Sequence, residues 1–64
     1  MDYSGKNLQG KFFKGQNLQN ANFTEADIRG ADFSSANLEN ADFSNAKLAG
    51  VNWSNTKRLF TLED

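Results

Sequence analysis

Large apolar residues recur at every fifth position along almost the whole chain. Tyr3, Leu8, Phe13, Leu18, Phe23, Ile28, Phe33, Leu38, Phe43, Leu48 and Trp53 keep this beat, and the residues between them are nearly all small or polar. A period of five suits neither regular element. In a helix five steps advance about 140°, so the anchors would scatter around the cylinder. In a straight strand side chains alternate with period two, so successive anchors would fall on opposite faces. The beat is satisfied if the chain turns a corner in every repeat. Each repeat is then a short extended piece plus a turn, and every anchor points to a common axis.

The residues around each anchor agree. Two before it stand Ala21, Ala26, Ala31, Ala36, Ala41, Ala46 and Val51. A separation of two shares the inward direction, and a crowded axis has room only for a small residue. Immediately before the anchor come Asn7, Asn17, Asn22, Asp27, Asp32, Asn37, Asp42 and Asn52. Two after it come Gly5, Gly10, Gly15, Asn20, Gly30, Asn40, Asn45, Gly50 and Asn55. Gly and Asn tolerate positive φ, and Asn and Asp side chains bond to nearby backbone in turns.

Aromatic anchors alternate with aliphatic ones, giving a second rhythm of ten. If the chain closes a coil after four corners, like stacks on like. Tyr3, Phe23 and Phe43 form one column, and Phe13, Phe33 and Trp53 the opposite one. Leu8, Ile28 and Leu48 form a third column, and Leu18 and Leu38 a fourth. A three-cornered coil would stack aromatic on aliphatic. The spacing therefore predicts an all-β fold of square cross-section, with parallel pairing between successive coils.

The stretches Ala21-Asn22-Phe23, Ala31-Asp32-Phe33, Ala36-Asn37-Leu38 and Ala41-Asp42-Phe43 resemble the pentapeptide repeat family, over about Met1 to Asn55. The resemblance implies a right-handed quadrilateral β-helix, here of just under three coils. The expected organisation is a solenoid over 1–56 and a short C-terminal cap over 57–64. Arg58 ends the beat, and Leu59, Phe60 and Leu62 carry apolar bulk off it. Departures from the motif mark the start of the chain. Lys6, Lys11 and Gln16 take the inward Ala position, which long side chains tolerate only if their heads escape to water. Phe12 stands where the motif has Asp or Asn.

A chain of 64 residues buries only about 60% of its unfolded surface, and solenoids need several stacked units and covered ends. There is no Cys to supply a disulfide. Dimerisation through an end or a face, or membership of a longer parent, would each relieve that marginality. The formal net charge of −1 gives no general attraction to nucleic acid or acidic lipid. Along the chain, a mildly basic start (Lys6, Lys11, Lys14) precedes an acidic centre (Glu25, Asp27, Asp32, Glu39, Asp42). No apolar run approaches a membrane span, and no signal-peptide pattern is present; a cytoplasmic protein is expected. Two glycosylation-like triplets, Asn22-Phe23-Thr24 and Asn52-Trp53-Ser54, read as products of the repeat.

Chemistry-bearing residues are sparse. The absence of His and Cys removes the commonest general base, thiol nucleophiles and soft metal ligands. Asp27, Asp32 and Asp42 fall on three different sides of a square coil and cannot converge on one ion or one bond. No enzyme activity, metal or cofactor is expected. Ser4, Thr24 and Ser44 form one outward hydroxyl column and Ser34 and Ser54 another, both read as turn residues. The expected role is a structural scaffold or protein-interaction module with a protein partner and no nucleic-acid partner. The candidate contacts are Phe12, Lys11, Lys14 and Phe60. The resemblance carries one alternative, a DNA mimic that binds type II topoisomerases such as gyrase. That mode suits a long acidic rod better than this short, nearly neutral chain.

Overall fold

The computed structural model describes residues 1–58; Leu59 to Asp64 lie outside the described residues, and with them Phe60 and most of the expected C-terminal cap. Among the described residues there is no helix and no extended strand. Each five-residue repeat contributes one bridging residue followed by a turn. The parallel bridges are Asp2 to Asn22, Asn7 to Asp27, Phe12 to Asp32, Asn17 to Asn37, Asn22 to Asp42, Asp27 to Lys47, Asp32 to Asn52 and Asn37 to Lys57. Every one spans twenty residues, so the chain returns over itself after four repeats. The bridges fall into four ladders, which define four sides. Side one holds 1–5, 21–25 and 41–45; side two holds 6–10, 26–30 and 46–50. Side three holds 11–15, 31–35 and 51–55, and side four 16–20, 36–40 and 56–58. The pairing runs through Lys57, the first residue of the stretch expected as a cap.

The turn explains why five residues suffice. The carbonyl of each anchor accepts a hydrogen bond from the amide three residues on, as in Ala36 N to Phe33 O at 3.0 Å and Ala26 N to Phe23 O at 3.0 Å. The third residue of each four-residue turn has positive φ, the requirement of a type II turn. Gly and Asn meet it at most corners. Glu25 (φ 60°) and Ser35 (φ 60°) also adopt it, and neither residue type favours that region. The side chain before the anchor locks the corner. Its Oδ1 accepts the amide two residues on, at 2.9 Å for Ser4 to Asp2, Thr24 to Asn22, Ser34 to Asp32 and Ser44 to Asp42.

The axis is filled as the alternation of anchors predicts. Tyr3, Phe23 and Phe43 stack with centroids 4.8 and 4.9 Å apart, near-parallel at 9° and 4°. Phe13, Phe33 and Trp53 stack at 4.8 and 5.3 Å. The two columns meet edge to face, for example Phe23 on Phe33 at 5.5 Å and 84°. Both geometries are favourable for the ring quadrupole. The small residues Ala21, Ala26, Ala31, Ala36 and Ala41 are buried beside them. At the same place in the first coil Lys6, Lys11 and Gln16 are exposed, so their heads do escape to water.

Candidate functional site

The outer surface is built from three positions per repeat: the bridging residue and the two turn residues. The bridging carboxylates do not gather. Asp27 lies on side two, Asp32 on side three and Asp42 on side one, as the square course requires. Each accepts bonds from its own corner. Ser4 and Ser44 hydroxyls donate to Asp2 and Asp42 at 2.7 Å. The backbone amide and then the hydroxyl of Ser4 hold the Asp2 carboxyl below its usual range. At Asp32 and Asp42 the following serine's side chain and then its amide do the same, and Lys14 adds a favourable charge at Asp32. The Arg29 side chain leads the lowering at Asp27, through a two-pronged contact of 2.7 and 2.9 Å. These depressed acids are stabilised as anions, the opposite of what a proton donor at neutral pH needs. Among the described residues no group of His, Cys, Asp and Glu is placed to hold a metal ion.

The hydroxyl column of Ser4, Thr24 and Ser44 is similarly engaged. Each hydroxyl donates to the Asp or Asn two residues before it, so its proton is not offered outward. Ser34, in the opposite column, is itself buried.

Residues 13–57 match the family model for pentapeptide repeats, nine copies. The chain belongs to the pentapeptide repeat family. No curated protein matched it in a sequence comparison. The pentapeptide motif accounts for the anchors, the small inward residues and the bridging Asx. It does not account for Phe12, which lies on the first, N-terminal side of the matched segment. Phe12 bridges to Asp32 and is 79% exposed. Phenylalanine has no acceptor to offer the Lys14 amide, so this corner lacks the Asx bond made at its neighbours. Lys11 and Lys14 flank it on the same side and are exposed. The structure thus brings three of the four sequence-predicted contacts, Phe12, Lys11 and Lys14, onto one side; the fourth, Phe60, lies outside the described residues.

Arg29 and Lys47 were not among the predicted contacts. They lie on side two, next to that patch around the coil, and both are exposed. The signal was available: writing the sequence in rows of twenty puts Arg29 over Gln9 and Lys47 over Asp27, in the same five-residue block as Lys6. Among the described residues no helix is long and apolar enough to cross a membrane.

Proposed function

We propose that this chain is a non-enzymatic scaffold and protein-interaction module, built as a right-handed four-sided β-helix of just under three coils. The observation that carries it is Phe12. A large apolar side chain stands in water at a position that the rest of the coil fills almost throughout with turn-locking Asp or Asn. Exposure there brings no folding benefit, and contact with a partner gives it one. The depressed carboxylates are each bonded into their own turn, and Asp27, Asp32 and Asp42 lie on three different sides, which supports a non-catalytic role. Capture from lysate of the source organism tests the reading. A specific protein partner retained by the wild-type chain and lost on Phe12→Asp is the expected result; no specific partner under any condition counts against it. A crystal structure tests hand and coil count.

Topoisomerase binding by DNA mimicry draws on side one, which carries Asp2, Glu25 and Asp42 and no Lys or Arg. Coils there are spaced by the ring stacking of 4.8 and 4.9 Å. Three acids over two such steps fall well short of the one charge per about 1.7 Å of duplex DNA. A supercoiling assay with gyrase is expected to show no effect at micromolar protein.

A further inference from the structure

Resting on the interaction reading, we propose that sides two and three form a docking face for an acidic protein segment that carries an apolar residue.

Charge is sorted around the axis. Lys6, Arg29 and Lys47 lie on side two and Lys11 and Lys14 on side three, and all five are exposed. The acids on these sides are Asp27 and Asp32, both half-buried and bonded to their own turns. Arg29 is paired with Asp27 at 2.7 Å, so the cationic surplus that meets water here is carried by Lys6, Lys11, Lys14 and Lys47. Side one, opposite side three, is the reverse: three carboxylates and no cationic side chain. The corner joining sides two and three carries Gly10, Gly30 and Gly50, so no side chain separates the two cationic sides. Phe12 stands within this field, between Lys11 and Lys14. A charged rim around an exposed aromatic is the composition of an interface anchor, and the sign of the rim selects an acidic partner.

The same observations favour a protein segment over a nucleic acid. A phosphate chain would run past Asp27 and Asp32, and stacking needs a succession of exposed aromatics. Among the described residues Phe12 is the one exposed aromatic; the others line the axis. A second copy of this chain fits less well. Its acidic side ties Asp2 and Asp42 into turn bonds, leaving Glu25 as the side-one carboxylate outside them.

The test is an amide-resolved NMR titration of the full chain with a blocked peptide of Glu and Ser flanking one central Leu. The expected perturbations cluster at Lys11 to Lys14, Arg29 and Lys47 and spare side one. Affinity should fall roughly fivefold or more with Phe12→Ala, vanish with Lys11→Glu plus Lys14→Glu, and weaken with salt. Perturbations centred on Glu25 and Asp42, no perturbation at all, or unchanged affinity in Phe12→Ala would overturn the proposal. So would tighter binding of oligothymidylate at the same face, or salt-sensitive self-association of the chain alone through it. Lysate capture with the double Glu variant separates the two claims. A specific partner that the variant still holds removes this face but leaves the interaction reading. Failure of the peptide together with no captured partner removes both.

Discussion

The first coil (1–20) and the second (21–40) follow the same backbone course but carry different side chains. The second coil is bonded above and below. Phe23 donates to Asp42 and Asn22 to the carbonyl of Met1, and its Ala positions are closed. The first coil bonds on one side only, through pairs such as Leu8 to Asp27 and Phe13 to Asp32. Its inward-small positions hold Lys6, Lys11 and Gln16, and its outer surface holds Phe12. The difference separates two kinds of constraint. Turn geometry is demanded of every repeat, whereas small inward residues are demanded only where another coil closes over them.

The hardest blow to that comparison is struck at the centre. Phe33→Ala should cost about 3–5 kcal/mol, because Phe33 is 0% exposed and contacts rings above, below and across the axis. A chain this small should then unfold, read by loss of its thermal transition, while half-buried Tyr3→Ala in the first coil should leave a lowered but measurable one. Equal effects would remove the distinction between the coils. Next comes Ala36→Lys, which overfills a closed position and buries a charge; a loss of about 3 kcal/mol is expected. Lys11→Ala, at an open position, should stay within about 0.5 kcal/mol by urea titration. A harmless Ala36→Lys would show that this position does not face the axis.

Smaller effects sharpen the comparison at the corners. Gly15 in the first coil lies under Ser35 in the second, and both have positive φ. Ser35→Gly and Glu25→Gly should each raise stability by roughly 0.5–1 kcal/mol, since a left-handed L-residue costs more than glycine's extra chain entropy. Gly15→Ala should lower it. Phe12→Asn should restore the missing turn acceptor and add about 0.5 kcal/mol, visible as a small rise in Tm, while losing the docking anchor.

The smallest effect concerns acid. Asp2, Asp27, Asp32 and Asp42 are all held below the ordinary aspartate range. A carboxyl lowered in the folded state stabilises it above the unfolded pKa, and that contribution fades as pH falls through the lowered value. Melts should be level between about pH 7 and 5 and decline below about 4. Asp42→Asn keeps the acceptor and removes a titrating group, so it should be near-neutral at pH 7 and shrink the decline.

Much of the core was legible because five and ten are arithmetic facts about the anchors. Square closure follows from like stacking on like, and the ring columns match it residue by residue. The corners were legible where Gly and Asn occupy them. Glu25 and Ser35 were not, because their types give no signal of positive φ; only their place in the beat does. The candidate site was half visible. Phe12 stands out as a broken motif, but charge read along the chain shows a basic start and an acidic centre. Arg29 and Lys47 join the basic side only when the chain is wound at twenty residues per coil. Nothing local to either residue encodes that neighbourhood.

The twenty-residue return also sets a grammar for length change. Duplicating one whole coil lays Phe on Phe and Leu on Leu and leaves every side of the column in place. Inserting one five-residue repeat would satisfy each local turn, yet rotate everything downstream by a quarter of a coil. Ile28 would then lie over Phe13 instead of Leu8, and Arg29 over Lys14 instead of Gln9. Gene-level growth in single repeats thus rewrites both the core and the surface, whereas growth in fours preserves both.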